Sequence, residues 1–378
     1  MRIGFDAKRA FNNFTGLGNY TRFIINALAN IGENDLLLYT PQISNHPEAN
    51  AFERKFKNQI IVPRGLYSKG VFKSIWRSTK IYHDAENQKA NIFHGLSNEL
   101  PSGKSPKVKR VVTIHDLIFL RYPHFYPFVD RHIYRRKFKN ACETADSVVA
   151  VSEQTKRDII EFLNIPEEKI TVIYQGVHHN YNIDISTNRM MYLTEQYGLH
   201  NPYLVYVGSI EERKNAVQMV KAFALMKQQA KDNTELIIIG KQTAYQAAVE
   251  QEIKKSGLLS EVKILNNVPF SDLPFLYKGA VATVYPSSFE GFGIPVLESL
   301  TMGTPVITGM GSALAEAGGK HALYVDPQNS NDFSLKMAKM INDQDFVKQQ
   351  MTGVAEHLNN FTSAHIGHQL LAHYKSLL

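Results

Sequence analysis

The same structural phrase is written twice in this chain: a short apolar run, a loop rich in polar residues and glycine, then a segment with helical apolar spacing. Arg2 to Asp6 reads as a buried strand. The loop Asn12-Asn13-Phe14-Thr15-Gly16-Leu17-Gly18-Asn19-Tyr20 follows it, and a helical pattern runs on through Ala29. Further strand-like runs stand at Leu36 to Tyr39, Asn91 to His94, Val111 to Ile114 and Ser147 to Val151. The phrase restarts at Tyr203 to Gly208 and continues with Glu235 to Ile239, Val262 to Leu265, Ala282 to Tyr285 and Pro305 to Ile307. Continuous apolar strands alternating with helices predict parallel sheets covered on both faces, an α/β architecture. With 378 residues the chain is too long for one compact core and comfortable for two.

The expected division is a first domain over 1–178, a polar connection over 179–200 and a second domain over 201–362. The stretch Ser363 to Leu378 carries a helical stripe at Ile366, Leu370, Leu371 and Tyr374. It is read either as a surface helix of the second domain or as a helix that completes the first.

Charge divides along the same line. Through residue 178 there are 26 Lys and Arg against 17 Asp and Glu; the remainder has 16 against 18. The basic excess therefore belongs to the first half. Arg131-His132-Ile133-Tyr134-Arg135-Arg136-Lys137-Phe138-Lys139 interleaves bases with aromatics, and Lys104 to Arg110 adds a second cluster. Such clusters suit an anionic membrane surface or a lipid-linked diphosphate, although a solvated helix face has the same composition. No nucleic-acid recognition motif accompanies them, so nucleic acid is not expected as a partner.

A single cysteine, Cys142, excludes an intrachain disulfide, fits a reducing compartment and is expected as a small core residue. The N-terminus has no apolar leader core, and no stretch is apolar enough to span a bilayer. The expected location is cytoplasmic, peripheral at the inner face of the cell membrane where the basic half touches it. His178, His179 and His321 have no acidic or thiol partners at ligand spacing, so no metal site is expected.

The densest chemical signal is Tyr285-Pro286-Ser287-Ser288-Phe289-Glu290-Gly291-Phe292-Gly293-Ile294-Pro295-Val296-Leu297-Glu298-Ser299. A carboxylate lies just beyond a strand, glycines fill the loop, Pro295 is expected at the first helical position and Glu298 in the first turn. Glycines and helix N-terminal amides suit a phosphorylated ligand, while an acceptor-only carboxylate can take two hydrogen bonds from a vicinal diol. Taken singly, Glu298 could merely complement the helix dipole and Glu290 could be an exposed turn residue; the complete string argues against both.

After the strand ending at Gly208 comes Arg213-Lys214-Asn215, with Asn215 read as a helix N-cap. Two cations at a helix N-terminus oppose the macrodipole unless an anion joins them, and a diphosphate would be that anion. The plainer alternative is a solvated pair screened by Glu211 and Glu212. His115-Asp116 ends the strand Val111 to Ile114, where His115 could donate to a hydroxyl near a reaction centre and Asp116 could orient it. Gly16-Leu17-Gly18 lacks the spacing of a dinucleotide fingerprint, which disfavours an oxidoreductase.

The Glu290-x7-Glu298 string with Gly-Phe-Gly inside it, together with Gly208 followed by Arg213-Lys214-Asn215 and the His115-Asp116 pair, resembles the retaining glycosyltransferases of family 4. The resemblance extends along most of the chain. It implies the GT-B fold, two Rossmann-like domains facing across a cleft, with the nucleotide sugar on the C-terminal domain and a glycan or lipid-linked acceptor on the N-terminal one. It further implies that Glu290 contacts the transferred sugar and Glu298 the ribose. Arg213 and Lys214 would neutralise the departing diphosphate, and Gly208, Gly291, Phe292, Gly293 and Ile294 would line the donor. His115 is carried over as a catalytic residue, and Gly16 and Gly18 as a loop touching acceptor or diphosphate.

With fixed cations in place, no cofactor and no metal is expected, the nucleotide sugar being substrate. The preferred donor is GDP-mannose, for surface polysaccharide synthesis, with Asn267-Val268-Pro269 as a base-selecting loop. The alternatives are a UDP-sugar-dependent GT-B enzyme, either a hexosyltransferase or a UDP-N-acetylglucosamine epimerase, and a non-catalytic nucleotide-sugar-binding protein.

Overall fold

The computed structural model describes residues 1–32, 34–103, 105–229 and 232–378. Lys104, expected in the second basic cluster, lies outside the described residues. The chain forms two compact units, Met1–Gly176 with Asn360–Leu378, and Val177–Asn359.

The first unit holds a seven-stranded parallel sheet: β1 Arg2–Asp6, β2 Asp35–Tyr39, β3 Ile60–Ile61, β4 Ile92–Gly95, β5 Lys109–Ile114, β6 Ser147–Ala150 and β7 Ile170–Val172. Their spatial order is 3-2-1-4-5-6-7, with Phe5 facing Leu38 on one side and His94 on the other. Strands buried on both faces need apolar side chains at successive positions, and Ile3, Phe5, Leu38, Phe93, Val111, Val112, Val148 and Val149 supply them. Cys142 is in this core as expected, and burial pushes its thiol up to about 12.

The second unit repeats the plan with six parallel strands: β8 Tyr203–Val207, β9 Glu235–Ile239, β10 Val262–Leu265, β11 Ala282–Tyr285, β12 Val306–Gly309 and β13 Ala322–Val325. Their order is 10-9-8-11-12-13. In both sheets the order reverses beside the first strand, between β1 and β4 and between β8 and β11. Such a reversal opens a crevice at the carboxyl ends of the strands.

Two expectations about boundaries change. The segment 179–200 is not a connection but part of the second unit: Ser186 caps the helix Thr187–Tyr197 and Gly198 closes it in the left-handed region. Arg189 Nη2 lies 2.6 Å from Asp272, Tyr197 donates to the same carboxylate at 2.8 Å, and Leu193 is buried. The helix Ser363–Ser376 joins the first unit, not the second. Its stripe of Ile366, Leu370, Leu371 and Tyr374 is buried, and it packs on the helix Gly16–Ile31. Tyr374 Oη lies 2.5 Å from His94 Nδ1, and His373 Nε2 lies 3.0 Å from Ser147 Oγ. The apolar stripe alone could not name its partner. β3 and β7, two and three residues long, are too short to register as strands in the sequence, and β13, Ala322–Val325, was passed over although all four of its residues are apolar.

Candidate active site

The loops after β8 and β11 bring Arg213 and Glu290 together. Arg213 Nη1 lies 2.9 Å from Glu290 Oε1, both side chains being largely buried. That oxygen also accepts from Tyr285 Oη at 2.7 Å and Ser287 Oγ at 2.8 Å. Three donors converge on Oε1, and no described residue donates to Oε2, which keeps its capacity to accept a hydrogen bond. Burial alone would raise this carboxyl, but Arg213 first and Lys214 second, with the two hydroxyls, hold it below the ordinary glutamate value. Glu290 is therefore an anion locked in place, not an exposed turn residue.

Arg213 Nη1 also bonds the Phe289 carbonyl and Ser287 Oγ, and the Arg213 carbonyl accepts from Ser288 N at 3.0 Å. The arginine thus braces the Glu290 loop as well as supplying charge. Its contact with Glu211 is long, 3.8 Å, and Glu211 is exposed, so the screened-pair alternative does not describe this cation. Lys214 is partly buried and its ammonium makes no hydrogen bond or ion pair among the described residues. It stands 5.5 Å from the Tyr285 ring centroid, and a Cβ on Gly208 would come within 3.2 Å of its Nζ.

Asn215 stands at the N-cap position, directly before the helix Ala216–Gln229, and its carbonyl accepts the helical bond from Met219 N, but its backbone is left-handed, φ 57°. The side-chain amide instead donates to Pro286 O at 3.2 Å and Ser288 Oγ at 2.8 Å, tying the two loops to each other.

The helix after the loop is Ile294–Thr301, so Pro295 is its second residue rather than its first. Gly293 adopts φ 136°, and a Cβ there would press within 3.1 Å of Ala317 Cβ. Only glycine meets that conformation and that spacing. Phe292 is buried beside it.

Glu298 is the fifth helical residue, beyond the first turn, and is 7 % exposed. It therefore does not complement the open N-terminus. Tyr277 donates to Oε2 at 3.0 Å, yet burial dominates and pushes the carboxyl up to about 7, with Lys214 and the tyrosine hydroxyls pulling the other way. The two glutamates, eight residues apart, are driven in opposite directions by their surroundings. Asn267 follows β10 and takes the left-handed conformation, φ 61°, which places the expected base-selecting loop at the same carboxyl edge as Arg213 and Glu290.

In the first unit, His115 leaves β5 buried. Its Nε2 lies 2.9 Å from the Leu96 carbonyl, an acceptor, so Nε2 carries the proton and Nδ1 is an acceptor. Burial holds the ring down at about 4, hence neutral near pH 7. The expected donation from this ring to a hydroxyl becomes, in this tautomer, acceptance at Nδ1. Asp116 Oδ1 accepts from Ile118 N at 3.2 Å, whereas the His115 ring is set by Leu96 and by the edge-on ring of Tyr20, 4.5 Å away.

Sequence reading missed the residues behind that ring. Tyr20 Oη meets Thr113 Oγ1 at 3.1 Å, Thr113 meets His94 Nε2 at 2.8 Å, and His94 meets Tyr374. A polar line thus runs from the C-terminal helix to His115. No local motif marks it, because its members lie on four separate elements.

Gly16 and Gly18 are not in a loop but in the first turn of the helix Gly16–Ile31. A Cβ on Gly18 would stand 1.8 Å from the Asn13 carbonyl oxygen, so that position has a packing requirement of its own; Gly16 has nothing within 4 Å. Among the described residues, no three His, Cys, Asp or Glu side chains gather as a metal-binding group, and no helix is long and apolar enough to cross a membrane.

Comparison with known proteins bears on the fold and the family. The family model for Glycosyltransferase Family 4 matches residues 14–181, and that for Glycosyl transferases group 1 matches residues 195–355. The chain is 27 % identical over 362 residues to the O-antigen chain mannosyltransferase B of Escherichia coli, covering 91 % of each protein. It is 30 % identical over 226 residues to the O-antigen chain mannosyltransferase RfbU of Salmonella typhimurium, 59 % of this chain and 58 % of that one. Among solved structures, Anabaena HepE in complex with UDP and glucose superposes with a TM-score of 0.73 at 17 % identity, covering all of both chains. WaaG, a glycosyltransferase involved in lipopolysaccharide biosynthesis, gives 0.69 at 17 % identity over 98 % of each. Two family models that between them span most of the chain, on two Rossmann-like sheets, make this protein a glycosyltransferase of the GT-B fold, and the chain belongs to family 4.

Proposed function

We propose that the enzyme transfers mannose from GDP-mannose to a glycan or lipid-linked acceptor of a surface polysaccharide, with retention of anomeric configuration and without a metal or other cofactor. The observation that carries the site assignment is Glu290, anchored through one oxygen by Arg213, Tyr285 and Ser287 with its other oxygen open, beside the unpaired ammonium of Lys214. The O-antigen mannosyltransferases it resembles support the choice of sugar and acceptor. In this reading Glu290 Oε2 accepts from a sugar hydroxyl and Glu298 from the ribose diol, while Lys214 and Arg213 stabilise the charge that grows on the departing diphosphate. The bond from the anomeric carbon to the diphosphate oxygen breaks, the acceptor oxygen bonds to the same face, and the acceptor proton passes to the leaving phosphate. Retention and this same-face route rest on the resemblance to the retaining enzymes of family 4.

Thermal unfolding with GDP-mannose against UDP-glucose and UDP-N-acetylglucosamine tests the donor, since selective binding raises the midpoint. GDP-mannose is expected to give the larger rise, the product to show the α-anomeric signal by NMR, and EDTA to leave turnover unchanged. A larger rise with a UDP-sugar would overturn the donor assignment, and an inverted product the retaining one.

The basic first unit is proposed to rest on an anionic membrane surface, with the protein cytoplasmic. Phe128, Val129, Ile133 and Tyr134 are exposed on the helix Phe128–Thr144 among Arg131, Arg135, Arg136 and Lys137. Leu66, Val71, Phe72 and Ile75, which sequence reading passed over, are exposed in a neighbouring segment with Lys69 and Lys73. Glu99 lies 3.2 Å from Arg77, just beyond this second segment, and 3.9 Å from Lys137 of the helix. Apolar side chains between bases match a headgroup boundary better than bulk water.

A further inference from the structure

The carboxyl edge of the first sheet carries two cations that neither the donor chemistry nor the membrane reading uses. β1 ends at Asp6, and Ala7-Lys8-Arg9 follows, opening the short helix Lys8–Asn12 beside the strand-order reversal between β1 and β4. Ala7, Ala10 and Phe11 are fully buried, which pins this backbone, so Lys8 and Arg9 are partly buried side chains on a rigid base.

The acids nearby are already engaged. Asp6, almost fully buried, takes Arg77 Nη2 at 2.6 Å and Arg77 Nε at 2.9 Å; the other side of that guanidinium meets Glu99 at 3.2 Å. Neither the Lys8 ammonium nor the Arg9 guanidinium makes a hydrogen bond or ion pair with any described residue, and Arg9 Nε is buried without an acceptor. A buried guanidinium N–H left unmatched is unfavourable, and buried polar groups of this kind in native proteins call for a ligand, water or ion. Burial lowers the Lys8 pKa, and the like charges of Arg77 and Arg9 lower it further against the opposing pull of Asp6 and Glu99. Arg9 also acts on the His115 ring, which places this positive edge close to the residue read as facing the reaction centre. Lys8 and Arg9 are consecutive and feel each other's charge, and a guanidinium fork together with a point-charge ammonium is a combination that suits phosphate oxygens.

We propose that Lys8 and Arg9 form a phosphate-binding site on the first unit, which holds a phosphate ester or diphosphate group of the acceptor. The acceptor role rests on the glycosyltransferase reading; the anion site itself does not. A phosphate group could reach the site on a soluble sugar phosphate or on a lipid-linked diphosphate, and the chemistry recognised is the same.

The test uses the full-length protein saturated with the nucleoside diphosphate that stabilises it more, so that the Arg213 edge is occupied. Inorganic phosphate is then titrated at constant ionic strength against chloride, with the unfolding midpoint as readout. Wild type is expected to show a further, saturable rise. The Lys8→Gln/Arg9→Met double variant, which keeps the aliphatic stems, is expected to lose it while retaining wild-type circular dichroism and the wild-type response to nucleotide. Lys8→Arg is expected to keep it. An identical phosphate response in the double variant, or no saturable response in wild type, overturns the site.

The source is settled by competition in the transfer assay: mannose 6-phosphate against mannose, and vesicles containing a polyprenyl diphosphate against vesicles without it. Preference for either phosphorylated probe by about tenfold, lost in the double variant, supports the acceptor role. A phosphate response without that preference leaves an anion site and overturns its assignment to the acceptor. Absence of sugar transfer with any donor overturns the glycosyltransferase reading, but leaves the phosphate titration able to judge the site.

Discussion

The two sheets share one strand order over six strands, the first adding a seventh at its edge, and each sets two adjacent cations beyond its first strand: Lys8 and Arg9 after β1, Arg213 and Lys214 after β8. What differs is the acid that meets them. In the second unit the loop after β11 delivers Glu290 to Arg213, and the result is a braced ion pair with one carboxylate oxygen and one ammonium left over. In the first unit Asp6 and Glu99 are both taken by Arg77, and the edge keeps an uncompensated positive charge. The same strand order around the reversal thus yields two different chemistries, because a parallel sheet fixes where loops converge while the loops decide the charge balance there.

The sharpest way to break this comparison is to remove the cation that compensates Glu290. Arg213→Ala should lower turnover by roughly 10²–10³, the scale of losing one preorganised charge-stabilising group. It should also destabilise the fold by about 3 kcal/mol, because a largely buried carboxylate is left unpaired. Arg213→Ala/Glu290→Gln should recover much of that stability in urea unfolding and none of the activity. If the double variant is no more stable than the single one, the pair does not brace the loop.

A packing contrast inside the first unit comes next. Gly18→Ala forces the Asn13 carbonyl to move and should destabilise by about 1–3 kcal/mol, whereas Gly16→Ala should lie within about 0.5 kcal/mol of wild type. Equal melting points for the two variants would remove the steric reading of Gly18. A turnover defect in Gly16→Ala at unchanged stability would favour a ligand-facing role for that residue.

Protonation sharpens the contrast between the two carboxylates. Glu298 has its pKa raised to about 7 by burial, so its contribution to stability is fully present below its unfolded value near 4.5 and is lost as pH rises through about 7. Ribose hydroxyls donating to the carboxylate would favour the ionised form. Affinity for the nucleotide sugar should therefore increase about tenfold between roughly pH 6 and pH 8. A nucleotide sugar is the right probe because its diphosphate diester does not titrate in that window. Glu298→Gln should flatten the profile; an unchanged slope in that variant would assign the titration to another group.

The smallest expected effect tests the exposed helix of the first unit. Each of Arg135→Gln and Arg136→Gln should weaken binding to vesicles containing phosphatidylserine by about fivefold, near 1 kcal/mol per base at an anionic surface. Binding to neutral vesicles should not change. Wild-type affinity in the combined variant would leave these bases as a solvated face.

Much of this molecule was legible before any coordinate. Strand positions followed from runs such as Leu204 to Val207 and Ile237 to Ile239, which are apolar at successive positions because both faces of a parallel sheet are covered. Glu290, Arg213 and Lys214 were singled out by residue type at strand ends, and the two loops that carry them do meet. The clamp on Glu290 was not legible, since Tyr285 and Ser287 looked like one more strand residue and one more loop serine. Nor was the burial of Glu298, which depends on Tyr277 approaching from another helix.

Local sequence therefore determined the elements and their kind, because hydrophobic period, glycine conformation and the charge of a side chain are properties of short segments. It also determined that the basic excess lies in the first half and that Arg213 and Lys214 follow a strand end. Only the tertiary structure decided which charges are compensated, which proton His115 carries, and which unit owns the helix Ser363–Ser376. Those outcomes depend on partners tens or hundreds of positions away, such as Tyr374 against His94, and electrostatic and desolvation energies are set by distance in space rather than along the chain.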